Sequence, residues 1–397
     1  MTYLSETQNA GREVFPDLAR AFALIGIALV NVGVIAYPFM TGYSIGGLDT
    51  PIDQGAFWIV NAFFLMKSYT LFAFMFGVGF AYQIQSAERR GVDFSGRYWR
   101  RILGLLAFGF VNIAFLFQGD ILVIYAILGS ILFLFRNASA RTLSGWGISL
   151  YTFQVLLVAF MAAGIWMWAT FDPESYTSEL PTIYEQGFTA AEAFRSGSFV
   201  DTIHQRFIEW GGVITFGMMM QGVGALAFFM FGLSAVRRGT ISNPSAPFWK
   251  RCRRIFLPIG VLISGYGAWL IVQGGGFMDV KTMLGMTLIM LGAPFSTAGY
   301  LGLIAKWAQT PGGTVKTFLA RGGTASLTAY LLQGLLLSLI FNAYGLGLFE
   351  QYGAATCIAI ALAVALFSIS FTSLWRTKFK RGPLEEVLRR WTYLGER

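Results

Sequence analysis

Histidine, cysteine and charge are all scarce in this chain, and each scarcity removes a class of function. With a single histidine, His204, no histidine metal cluster can form, and no metal is expected. Of the two cysteines, Cys252 sits among arginines and Cys357 lies in an apolar run. A disulfide between them is not expected, and neither has a metal-ligand neighbour at a useful spacing. Only 12% of residues are charged, against about 25% in ordinary soluble domains. No Walker loop, no dinucleotide fingerprint after a strand and no serine-nucleophile elbow is present. The opening MTYLSETQNAGREVFPD is polar, without an apolar stretch and cleavage site behind it, so it is not expected to be a removable signal peptide. A formal charge of +9 invites a nucleic-acid reading, but the basic residues sit in short segments between apolar runs. That is the pattern of membrane topology, so no nucleic-acid partner is expected.

What is abundant is apolar. The chain is 55% hydrophobic, with 38 Phe and 11 Trp among its 397 residues. Apolar runs at roughly 18–39, 56–83, 102–118, 121–135, 144–169, 211–236, 255–273, 282–305, 324–344 and 352–375 are long enough, or nearly so, to span a bilayer. The expected fold is an all-α polytopic membrane bundle of about ten transmembrane helices, residues 1–397 forming one transmembrane domain. The run at 56–83 is overlong, and is either strongly tilted or broken near Lys67-Ser68. Apart from Arg195, Arg206 and Lys281, and from Arg20 and Lys67 within spans, every Lys and Arg falls on one side of this scheme. The positive-inside rule then puts both termini in the cytoplasm. The external side has one substantial loop, 170–210, in which 189–210 is expected to form an amphipathic helix with Phe194, Phe199, Ile203, Phe207 and Trp210 on its apolar side. The tail, 376–397, reads as a basic amphipathic helix on the cytoplasmic surface.

Polar groups inside such runs are functional candidates. The hairpin Arg100–Arg136 joins two apolar runs through Gln118-Gly119-Asp120. Its first run, Ile102 to Phe117, reaches about 24 Å as a helix. The hydrocarbon core is about 30 Å thick, so Asp120 is held below the surface. Lys67 can snorkel outward or pair with Asp120 on the same side. Asp17 and Arg20 are three apart and can pair; Arg20 and Asn31, about three turns apart, can face one seam. The alternative is an interfacial ion pair and a packing asparagine. Tyr330 and Gln333 share a helix face. Arg321 stands before Gly322-Gly323 at an expected helix start, where an arginine and free backbone N–H groups can hold a phosphate. It can equally be an ordinary loop arginine.

Several motifs carry a family resemblance. Asp17-Leu-Ala-Arg20-Ala-Phe-Ala-Leu-Ile-Gly-Ile, Lys67-Ser-Tyr-Thr-Leu-Phe, Phe76-Gly-Val-Gly-Phe, Gly119-Asp120-Ile-Leu, Ser326-Leu-Thr-Ala-Tyr-Leu-Leu-Gln333 and Gly382-Pro383-Leu-Glu385 occur in order. Together they resemble the YeiB family of bacterial inner-membrane proteins of unassigned function, which is distantly similar to transmembrane acyltransferases. The resemblance implies transfer of an acyl group from a cytoplasmic thioester, such as an acyl-CoA, to a lipid or glycan. In the YeiB-like pattern a histidine precedes the Gly-Asp turn by about seven residues. Here Asn112 holds that place, and an amide cannot take up a proton as imidazole does. Asp120 and Lys67 are then the titratable groups left to act at the turn.

Three readings follow. In an acyltransferase, Asp17, Arg20 and Arg321 hold the donor, Asn31, Asn112, Gln118, Tyr330 and Gln333 line the acceptor path, and Asp120 with Lys67 does the chemistry. This requires a polar tunnel from the cytoplasm to Asp120. A transporter or flippase of a small amphiphile uses the same seam without chemistry. A non-catalytic subunit, bound to membrane lipids and docked on another membrane protein or complex, can have a filled interior.

Overall fold

The computed structural model describes residues 14–39, 41–44 and 46–394. The apolar runs become helices because a backbone inside hydrocarbon must satisfy its own N–H and C=O groups, and a helix does so within one segment. In chain order they are α1 (Val14–Asn31), α2 (Pro51–Phe63), α3 (Lys67–Arg90), α4 (Phe94–Phe115), α5 (Ile121–Leu134), α6 (Ala140–Phe171), α7 (Pro173–Arg195), α8 (Phe199–Gly217), α9 (Val223–Arg237), α10 (Pro247–Arg251), α11 (Leu257–Val272), α12 (Val280–Ala308), α13 (Thr314–Gly323), α14 (Ser326–Phe341), α15 (Ala354–Lys378) and α16 (Pro383–Thr392). No strand occurs among the described residues. Seven helical segments among them are long and apolar enough to cross a membrane, one of them being α2 with α3, and α13 with α14, bent by 84°, makes up to an eighth. The protein is thus a polytopic helical membrane bundle with seven or eight such spans against the ten or so expected, the helices at the expected spans 102–118 and 121–135 not being among them. The two short members are α5, with 14 residues, and α4, whose first turns carry Arg97, Arg100 and Arg101.

Departures from the expected pattern have local causes. The overlong run breaks at Phe64–Met66, just before Lys67, and Met66 takes φ 66°, a conformation that costs a side-chain-bearing residue energy. The segment 189–210 is not one amphipathic helix. Ser196-Gly197-Ser198 ends α7, and Ser198 with Asp201 forms a reciprocal capping box that starts α8. Phe194 is buried against Phe349, whereas Phe199 and Phe207 stay exposed. Through a π-helical turn at Met218–Gly222, α8 runs on into α9, so the span expected at 211–236 begins with Phe199. The tail helix α16 packs on the bundle: Leu388 is buried, and Trp391 donates to the Arg100 carbonyl at 2.7 Å.

Where helices approach most closely they do so through small residues, as membrane helices generally do. A Cβ on Gly77 of α3 would fall 2.0 Å from the Phe229 carbonyl oxygen of α9, and one on Gly232 would fall 2.1 Å from that of Phe74. This reciprocal contact fixes α3 in the centre of the bundle, where Phe76 stacks on Phe229 and meets Tyr125 edge-on.

Candidate functional site

The polar turn Gln118-Gly119-Asp120 exists because Asp120 is the N-cap of α5. Its Oδ1 accepts the Val123 N–H at 2.8 Å, one of the donors a helix start leaves unpaired. The other oxygen accepts from Asn112 Nδ2 at 2.6 Å. Gly109, one turn before Asn112, allows the hairpin to close: a Cβ there would lie 2.8 Å from Asp120 Oδ1. Asp120 and Asn112 are both buried. The Tyr330 hydroxyl of α14 lies 3.4 Å from Asn112 Nδ2 and 3.4 Å from the Ile121 backbone N. Asn112, Asp120 and Tyr330 thus form one cluster from three helices.

Cavities reach this cluster from both faces of the bundle. On the arginine-rich face a vestibule has two joined parts of about 510 and 730 Å³, which share Arg20, Gly79, Gln83 and Arg101. Its mouth carries Arg90, Arg376, Arg381 and Arg389, and its inner end is Phe72, Phe76, Tyr125 and Tyr330. The acids on its wall are already engaged. Asp17 pairs with Arg20 at 2.8 Å. Glu385 of α16 caps α14, accepting from the Leu327 and Thr328 N–H groups at 2.7 and 3.1 Å and from the Thr328 hydroxyl at 2.6 Å. Arg101 has no hydrogen bond or ion pair with a described residue. From the opposite face a cavity of about 220 Å³ is lined by Asn31, Asn61, Gln118 and Asp120 among apolar side chains. Between them a space of about 10 Å³, room for one water molecule, touches Asn31, Asn112, Tyr330 and Gln333. Both amide atoms of Gln333 and the Asn112 carbonyl oxygen are buried there with no hydrogen-bond partner among the described residues. Tyr330 belongs to both the vestibule and the small space, and Asn31 to both the small space and the outer cavity. The three volumes therefore form a chain across the bundle, with Tyr330 closing one end of the middle one.

Asn31, Asn112, Asp120, Tyr330 and Gln333 lie together, and Asp17 with Arg20 lies at the vestibule. Gln118 turns to Glu209, donating at 3.1 Å, while still lining the outer cavity. Lys67 neither snorkels nor pairs with Asp120. It is buried at 1% exposure, and its ammonium donates to the Asn61 carbonyl at 3.1 Å, a group that the break after Phe63 leaves accessible. Arg321 lines none of these spaces. Gly322 and Gly323 end α13 rather than start a helix, and the free N–H groups expected near them are those Glu385 occupies at the start of α14. The Arg101, Arg376 and Glu385 contributions were missed because positive-inside arginines look alike in sequence. Glu385 showed only as part of a motif.

This is a polytopic helical membrane protein with a buried polar cluster between opposed cavities. Residues 235–395 match a family described as "Protein of unknown function (DUF418)". Across 100% of this chain and 98% of the relative, the protein is 28% identical to the uncharacterized protein YxaH of Bacillus subtilis (strain 168). It is 27% identical to the uncharacterized protein YeiB of Escherichia coli (strain K12), over 96% of each chain. A third relative, an uncharacterized 39.9 kDa protein in the amylase 3' region of Bacillus acidopullulyticus, is 28% identical over 95% of this chain and 92% of its own. The chain is therefore YeiB-like along nearly its whole length, as the motifs indicated. No solved structure matches it.

Proposed function

We propose that this protein lies in the bacterial inner membrane with both termini in the cytoplasm, and transfers an acyl group from a cytoplasmic thioester to an acceptor that enters from the other side. The observation that carries this reading is the chain of spaces that meets Asn112, Asp120 and Tyr330. A thioester of the acyl-CoA type couples a phosphate-rich carrier to an apolar chain. The vestibule has matching parts: Arg20, Arg101 and Arg376 for phosphates, which guanidinium groups bind as bidentate donors, and an aromatic inner end for the acyl chain.

In the reaction, Asp120 accepts the proton of the acceptor's hydroxyl or amine while that oxygen or nitrogen bonds to the thioester carbonyl carbon. The C–S bond then breaks, and the sulfur leaves as a thiol carrying the proton that Asp120 returns. Asn112 cannot take a proton, and it orients the carboxylate through its 2.6 Å hydrogen bond. Tyr330 turns aside to admit the acyl group and donates to the carbonyl oxygen as charge develops. Lys67 is engaged elsewhere and holds the helix break. Membrane lipid surrounds the bundle as its standing partner.

Binding of an acyl-CoA to the purified protein, read by native mass spectrometry, tests the donor half. Retention by wild type and its loss in Arg101→Glu is the expected result. No retention by wild type at millimolar donor would refute it. One observation favours a carrier instead: the vestibule and the outer cavity share no lining residue and Tyr330 stands between them, as alternating access requires. A carrier would release no thiol. A filled interior, which a docking subunit permits, is not what these cavities describe.

A further inference from the structure

The outer cavity differs from the vestibule in its charge. Among the described residues that line it, Asp120 is the only charged side chain, and no lysine or arginine is among them. Its other lining side chains are neutral: amides from Asn31, Asn61, Gln118 and Gln221 stand among apolar and aromatic groups such as Phe57, Trp210 and Phe277. Thr41 and Thr282 also line it, but their hydroxyls are buried behind the wall, with no hydrogen-bond partner among the described residues. Of the lining amides, Gln221 comes from the π-helical turn and can offer a ligand both a donor and an acceptor. Two irregular backbone segments also border the space: Met66 at φ 66°, and the π-helical turn that contributes Met220 and Gln221. π-turns inside helices are frequent at functional sites.

We infer that this cavity holds the head of an amphiphile bearing a hydroxyl or amine, and that it rejects heads carrying phosphate. A phosphate placed there would lose its hydration with no cation to replace it, and would meet the Asp120 carboxylate. An amine finds that carboxylate as its counter-charge, and a hydroxyl can hydrogen-bond to the same carboxylate and to the Gln221 amide. The apolar walls take the first carbons of the chain. The inference deepens the acceptor side of the proposed transfer and rests on that reading only for what happens after binding.

The test is binding without a donor. Full-length protein in mild detergent is offered a monoacylglycerol, an alkylamine and an alkyl phosphate of matched chain length, and retention is read by native mass spectrometry. The first two are retained, and the alkyl phosphate binds at least about tenfold more weakly, the equivalent of 1.4 kcal/mol. Asp120→Asn keeps an N-capping side chain and weakens the alkylamine about tenfold while leaving the monoacylglycerol in place. Gln221→Leu, close in size, weakens the monoacylglycerol. Equal binding of the alkyl phosphate, or displacement of all three by matched detergent, would overturn the inference. Because no thioester is present, an absence of transfer activity leaves these outcomes unaffected. Likewise, transfer with equal phosphate binding would refute the specificity alone.

Discussion

Asp120 has two duties at one residue. It caps α5 and holds Asn112, so its removal uncaps a helix start and leaves the buried Asn112 amide only its long 3.4 Å contact to Tyr330. Asp120→Ala is expected to cost about 2–4 kcal/mol, combining a lost cap with a stranded buried donor. Asp120→Asn preserves the cap and should cost less than half of that. Thermal unfolding of the two variants in detergent separates the duties, since equal destabilisation would mean that the cap contributes nothing. The residue's importance was legible in the sequence because a carboxylate in a turn between two short apolar runs has no inexpensive explanation. Its partners were less so. Asn112 lies on a helix whose polar face is invisible in a run of Phe, Leu and Gly, and Tyr330 comes from more than two hundred positions away. Lys67 shows the opposite error. Its polar neighbourhood marked the helix break within a few residues, but the proximity to Asp120 that the topology permitted did not become a bond, because the freed Asn61 carbonyl was nearer.

At the scale of elements, α16 carries more than a surface helix would. Glu385 supplies the cap that α14 lacks in its own sequence, where Ala325 stands at the N-cap position. Trp391 closes onto Arg100 of α4. The tail therefore clamps the vestibule wall to the helix that carries Tyr330. Glu385→Ala should destabilise the bundle by about 1–2 kcal/mol and loosen α16. Limited trypsin digestion is the direct measure: cleavage at Lys380 or Arg381 should quicken in the variant, and unchanged digestion would show that the clamp lies elsewhere. Apolar periodicity and basic residues were enough to foresee an amphipathic helix here. They could not foresee where it docks, since docking depends on α4 lying alongside. The same limit applied to 189–210, where apolar spacing suggested one helix and the Ser196-Gly197-Ser198 punctuation with its Asp201 capping partner makes two.

For the whole molecule the arginines define direction. The vestibule face gathers Arg20, Arg90, Arg101, Arg376, Arg381 and Arg389, while Arg195 and Arg206 lie on the far side with α7 and α8. The proposed orientation has a direct check. Both native cysteines are buried, so single reporters can be added at exposed positions. A membrane-impermeant maleimide should label Val200→Cys on intact spheroplasts and label Leu394→Cys only after lysis. The reverse pattern would invert the topology, and with it the assignment of donor and acceptor faces. The bundle architecture follows from run lengths and charge bias, which are properties of short segments. The cavities follow from helix packing, which sequence periodicity does not encode.

Thiol release from an acyl-CoA, by protein reconstituted in vesicles that contain a monoacylglycerol, tests the central claim most directly. The account predicts release by wild type that depends on the acceptor, falls by about a hundredfold or more in Asp120→Asn, as expected for loss of a general base, and is lost in Arg101→Glu. Release that ignores both the acceptor and Asp120, or no release while the acyl-CoA remains bound, would contradict it.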